Sequence, residues 1–140
     1  MNYFIDTNII IDLLANKIEA KEQLKRLIKD GNSELFINRL VLTETLRTIH
    51  FEHTKVFKEA KEKLALFTQL NIQPQIYEKA IAFSRYCHSE GIKLKGKCEA
   101  IDFLHFMTAK YYDLTLISND KDLDKLEKAY KNFLKSFLNG

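Results

Sequence analysis

The chain has 140 residues, 46% of them hydrophobic, so it can bury the core of one domain, and a single domain over residues 1–140 is expected. One proline and four glycines give no sign of a flexible linker or a low-complexity segment, and no apolar run approaches the length of a membrane span. Charge excludes little: 22 Lys and Arg against 19 Asp and Glu give +3, which fits a solvated lysine-rich surface, unless several acids are tied up by cations and the remaining basic surface suits a polyanion.

Asn2 to Ile5 is short, apolar and aromatic, which predicts a buried strand ending just before Asp6. Thr7 and Asn8 are good capping residues, and Ile9, Ile10, Ile11, Leu13 and Leu14 suit a helix packed on a sheet. Ala20, Leu24, Leu27 and Ile28 share one face of a second helix, which Gly31 stops. Glu34 to Ile37 reads as a second strand, and Asn38 can cap a helix in which Leu42, Leu46 and Ile49 recur. Phe57, Ala60, Leu64 and Phe67 mark another helix after Thr54, and a short third strand is expected around Ile72. Pro74 suits the first turn of a helix with Ile76, Ala80, Phe83 and Cys87 inward, closed by Gly91. The basic stretch Lys93-Leu94-Lys95-Gly96-Lys97 reads as a loop. A helix from about Cys98 carries Ile101, Leu104, Thr108 and Tyr111 on one side. Leu114 to Ile117 is a buried-strand signal, Ser118-Asn119-Asp120 a polar turn, and Leu123, Leu126, Tyr130 and Phe133 face inward on a last helix. Strands alternate with helices without a hairpin signal, so an α/β fold is expected, its sheet mostly parallel with helices on both faces.

Four acids fall at telling places along this layout. Asp6 ends the first strand, Glu44 lies about two turns into the helix after the second, Asp102 is in the first turns of the helix after the basic loop, and Asp120 follows the last strand. In a parallel sheet the strand-end acids open on one edge, and helices starting at that edge can aim Glu44 and Asp102 at it. Four converging carboxylates repel one another unless cations are present, and hard oxygen donors suit Mg²⁺ or Mn²⁺. Such a site fits phosphodiester hydrolysis by a metal-activated water, with one ion or with two ions about 4 Å apart. His50, His53 and His88 have no zinc spacing with each other or with a cysteine.

At these residues the chain resembles the PIN-domain ribonucleases, in particular the small VapC-type toxins of toxin–antitoxin pairs. Phe4-Ile5-Asp6-Thr7-Asn8 resembles the family's opening strand motif and Leu42-Thr43-Glu44 its glutamate segment. Ala100-Ile101-Asp102, followed by Ala109, resembles the third acidic motif, and Leu116-Ile117-Ser118-Asn119-Asp120-Lys121-Asp122-Leu123 the fourth. The match runs from Met1 to about Leu126. It implies a three-layer PIN-like fold with a sheet of four or five strands. It implies a Mg²⁺- or Mn²⁺-dependent endoribonuclease cutting single-stranded RNA, a homodimer, and an antitoxin whose basic side chain or helix blocks the site. Asp6, Glu44, Asp102 and Asp120 take the metal-site roles by position, with Asp122 a fifth acid. Thr7 and Asn8 orient Asp6 or its water. The chain departs from the family pattern at His105 and Met107, where small residues are common, and at Leu123, where phenylalanine is usual.

Around these residues lie groups with plainer readings. Asp122 and Asp124 suit the first turn of a helix, as does Glu99, and His105 suits packing or the surface better than proton relay. Arg47, Lys93, Lys95 and Lys97 are the candidates for phosphate contact. Cys87 and Cys98 form neither a disulfide framework nor a metal finger, and the start of the chain has no secretion-signal pattern, so a cytoplasmic protein with reduced thiols is expected. Two rival functions remain at this point. One is a PIN-like module that binds RNA or a partner without turnover. The other is a haloacid-dehalogenase-like phosphatase, which needs a second Asp two residues after the first, where this chain has Asn8.

Overall fold

A computed structural model describes residues 1–95 and 98–138. The chain divides into two compact units, Met1–Asn71 with Tyr112–Asn119, and Ile72–Tyr111 with the segment from Asp120 onward.

The first unit holds the sheet. Its strands are β1 (Asn2–Ile5), β2 (Glu34–Asn38), β3 (Thr68–Leu70) and β4 (Thr115–Ile117), in the order β3-β2-β1-β4, and every pairing is parallel. The apolar start of the chain takes a central place because it is buried: Phe4 and Ile5 are fully inaccessible. Phe4 pairs with Phe36 on one side and Leu116 on the other, and Ile5 pairs with Ile117. This register brings Asp6, Asn38 and Ser118, each at or just past a strand end, to one edge of the sheet.

Four helices complete this unit: α1 (Thr7–Leu14), α2 (Ile18–Leu27), α3 (Arg39–Leu46) and α4 (Thr54–Leu64). Of the capping residue types Asp6, Thr7 and Asn8, Asp6 is the N-cap of α1; its backbone is extended and its side chain accepts from the Thr7 N–H. Asn38 caps α3 as expected, accepting from the Val41 N–H at 2.9 Å while fully buried. Gly31 stands at φ +74, the left-handed turn that takes the chain out of α2 toward β2. The third strand lies at Thr68–Leu70, not around Ile72. Its register against Phe36–Asn38 sets that position, and Ile72 instead belongs to the connection that leads to Pro74. Phe67, expected at the end of the helix before it, lies beyond α4.

The second unit is helical: α5 (Pro74–Ser89), α6 (Glu99–Tyr111) and α7 (Leu123–Leu138). Pro74 sits in the first turn of α5, where its missing N–H costs nothing. The core is an aromatic cluster around Phe83, which stacks on Phe106 and meets Phe103, Tyr130 and Phe133, with ring centroids 5.3–5.5 Å apart. Lys110 lies over the Phe106 and Tyr130 rings and pairs with Glu127 at 2.8 Å, so α6 and α7 are joined by charge as well as by packing. At the C-terminal end of α7, Phe133 is buried, whereas Leu134, Phe137 and Leu138 are exposed.

Candidate active site

The tightest arrangement of acids and hydroxyls is built on Asp6. Thr7 holds two carboxylates at once: its N–H donates to Asp6 Oδ1 and its hydroxyl to Glu44 Oε1, both at 2.7 Å. Ser118, one residue beyond β4, donates its hydroxyl to Asp6 Oδ2 at 2.7 Å. Asn8 donates to Ser118 Oγ at 3.2 Å and accepts from the Asn119 N–H at 3.2 Å, tying the turn after β4 to the first turn of α1. The Asp6 N–H donates to the Ile117 carbonyl at 2.9 Å, continuing the β1–β4 ladder to the site. Asp6 and Glu44 are half-buried and Thr7 is nearly buried. Hydroxyl and amide donors on the two Asp6 oxygens hold the carboxylate in one rotamer.

Glu44 is the sixth residue of α3, the helix that Asn38 starts at the same edge of the sheet. Parallel pairing and a buried cap therefore bring Asp6 and Glu44 together through Thr7. Arg47 follows α3 and is exposed.

In the second unit, Asp102 is half-buried near the start of α6, and its N–H donates to the Cys98 carbonyl at 3.1 Å. Asp120 is half-buried ahead of α7, with its Oδ1 accepting from the Asp122 N–H at 2.9 Å in a short side-chain turn. Asp122 is 2% exposed and its carboxylate is engaged: Oδ2 accepts from the Lys95 N–H at 2.6 Å, and Lys125 Nζ lies 3.6 Å from Oδ1. Glu99 is exposed in the first turn of α6, and His105 is buried, which matches a packed histidine. Lys93 and Lys95 are exposed, and Lys97 lies outside the described residues.

The donor chemistry of Asp6 and Glu44 fits a hard divalent cation. Both are carboxylates, fixed by one shared threonine, and Mg²⁺ is typically held by one or two carboxylates, with water and substrate phosphate completing its shell. Among the described residues no group of three or more His, Cys, Asp and Glu is arranged as a metal cage.

The PIN domain family matches residues 3–129. The chain belongs to the PIN domain family. This PIN fold is similar to that of VapBC2 from Rickettsia felis, solved bound to a DNA fragment from its promoter, with a TM-score of 0.75 at 18% identity over 89% of this chain and 92% of that one. It is also similar to a toxin–antitoxin complex from Klebsiella pneumoniae, with a TM-score of 0.65 at 23% identity over 84% and 86% of the two chains. Among curated sequences, it is 24% identical over 117 residues to a calcium/calmodulin-dependent protein kinase, cmkA, of Emericella nidulans. That match covers 81% of this chain, which spans only 28% of the kinase's length.

One residue of the PIN edge carried no assigned role in the sequence. Ser118 reads there as part of a polar turn and of the stretch resembling the fourth motif, with no role of its own. Its signal was its place, the first residue after a strand expected to run parallel to the one ending before Asp6. The missing piece was which strand is β1's neighbour, because only the β1–β4 pairing sets Ser118 against Asp6.

Proposed function

We propose that this PIN domain, taken as one domain over the whole chain, is a Mg²⁺- or Mn²⁺-dependent endoribonuclease that cuts single-stranded RNA and serves as the toxin of a toxin–antitoxin pair. The observation that carries the reading is Thr7 holding Asp6 and Glu44 together at the edge of a parallel sheet, with Ser118 on the second oxygen of Asp6. The proposed catalytic set is Asp6, Glu44, Asp102 and Asp120. When bound, a divalent cation supplies a nucleophile from water at neutral pH and neutralises charge on the phosphodiester. The chain's part is to offer carboxylates in fixed rotamers. Thr7 and Ser118 spend their protons on Asp6 and Glu44, so the acids meet a cation without reorganising. Arg47, Lys93 and Lys95 are exposed cations proposed to hold the strand's phosphates.

Likeness of fold to chains from two toxin–antitoxin complexes supports a small antitoxin partner, with a basic side chain or helix set against the acids. A homodimer in the cytoplasm completes the proposal, and free Cys87 and Cys98 are compatible with that compartment. The test is cleavage of a fluorescent single-stranded RNA with Mn²⁺ or Mg²⁺. We expect EDTA to stop it, and Asp6→Asn and Asp102→Asn to abolish it while circular dichroism stays that of the parent. Cleavage by those variants at the parent's rate refutes the assignment. A trapped aspartyl-phosphate on Asp6 would instead favour a phosphatase.

A further inference from the structure

Asp122 is a carboxylate in a place that a metal-site role does not explain. It is 2% exposed, its Oδ2 takes the Lys95 N–H at 2.6 Å, and its Oδ1 lies 3.6 Å from Lys125 Nζ. Lys125 Nζ also donates to the Lys93 carbonyl at 2.9 Å. The head of α7 thus grips the backbone of the basic segment at two alternate residues. The other end of that segment is tied as well. The Ile92 N–H donates to the Cys87 carbonyl at 2.9 Å across Gly91, which stands at φ +71, a closure that ends α5. Between these ties Ile92 and Leu94 are half-buried while Lys93 and Lys95 are exposed. Both lysines are open to solvent and only two residues apart, with Cα atoms at most about 7 Å apart.

We infer that Asp122 is a positioning residue: with Lys125 it clasps the 92–95 backbone so that the Lys93 and Lys95 ammonium groups are held ready for neighbouring phosphates of a single-stranded RNA. A buried carboxylate needs hydrogen bonds and a counter-charge, and the loop backbone and Lys125 supply both. The clasp leaves both lysine side chains free of that duty, since Lys93 is held by its carbonyl and Lys95 by its N–H. A pre-set pair loses less freedom on meeting the strand than two lysines on a loose loop. The inference rests on RNA being the ligand in the proposed function, and it moves Asp122 from the metal-site group to the strand-holding group.

The test reads binding apart from cleavage. Affinity for a fluorescein-labelled single-stranded oligoribonucleotide is measured by anisotropy in EDTA over a range of salt, and trypsin maps cleavage after Lys93 and Lys95. Asp122→Ala should weaken binding about tenfold, as loss of a hydrogen bond to a charged group does, and should flatten the salt dependence toward that of the Lys93→Ala, Lys95→Ala double variant. Asp122→Asn, which keeps an acceptor for the Lys95 N–H, should recover part of the loss. Lys125→Met should weaken RNA binding about threefold and speed trypsin cleavage. A merely structural role would lower the folded fraction without altering the salt slope. If the parent binds RNA and all these variants bind it with the parent's affinity and slope, the clasp is overturned and the nuclease reading stands. If the parent binds RNA and never cleaves it, the nuclease reading fails while the clasp is still judged by affinity. If the parent binds no RNA, both fall.

Discussion

Thr7 shows how much of a site one small side chain can set. Its N–H and hydroxyl reach two carboxylates that are far apart in sequence, so one residue that is 9% exposed links Asp6 to Glu44. Thr7→Val keeps the shape and removes the hydroxyl. It should lower RNA cleavage by about ten- to a hundredfold, the usual cost of losing an outer partner of a metal-site ligand, with a higher Mn²⁺ requirement. Ser118→Ala leaves Asp6 its Thr7 bond and should cost less. A metal titration of initial rates separates the two, and no change in either variant would mean that Asp6 and Glu44 do not act through these hydroxyls. At this scale the sequence was legible where a residue's place follows from its own element, as for Asp6 just past β1 and the cap Asn38. It was not legible for Asp122, whose partner Lys95 lies in a loop with no periodicity to place it.

At the scale of elements, α3 decides whether Glu44 reaches Asp6. The helix has eight residues, too short to be stable by propensity alone, and it starts at a fully buried Asn38 that accepts from the Val41 N–H. Asn38→Ala should destabilise the protein by about 1–2 kcal/mol in urea unfolding, because it removes the cap and leaves a buried N–H unsatisfied. Cleavage at saturating Mn²⁺ should fall more than stability predicts if α3 frays at its start. The strands were readable from local pattern at β1, β2 and β4, where apolar runs are bounded by turn residues. At β3 the pattern pointed to Ile72, and the strand formed instead where Thr68 and Gln69 find partners in Phe36 and Ile37. Two of the three residues of β3, Thr68 and Gln69, are polar and exposed, so the strand lacks the apolar run that marks β4 and its place is set by its neighbour.

For the molecule as a whole, the PIN match enters both compact units, so α6 and the part of α7 up to residue 129 belong to the same family pattern as the sheet. Global stability carries its own prediction. Burial, with a smaller contribution from the Glu99 charge, pushes the Cys87 thiol up from 9.0 to about 11. A folded-state pKa above the unfolded one stabilises fully below the unfolded value and is lost as pH rises. Unfolding free energy should therefore decline between pH 9 and 11, and Cys87→Ala should remove part of that slope in urea titrations. Thiol labelling at neutral pH should modify the exposed Cys98 quickly and Cys87 only on unfolding.

The sequence by itself determined the alternation of strands and helices, hence a parallel sheet, and it put Asp6 at the end of the first strand, because these follow from periodicity and capping over a few residues. Tertiary structure alone decided that β4 is the neighbour of β1, that Ser118 donates to Asp6, and that Asp122 turns to the basic segment. Each of those depends on backbone and side-chain partners far apart in the chain, and no local pattern records which distant group will satisfy a buried acceptor.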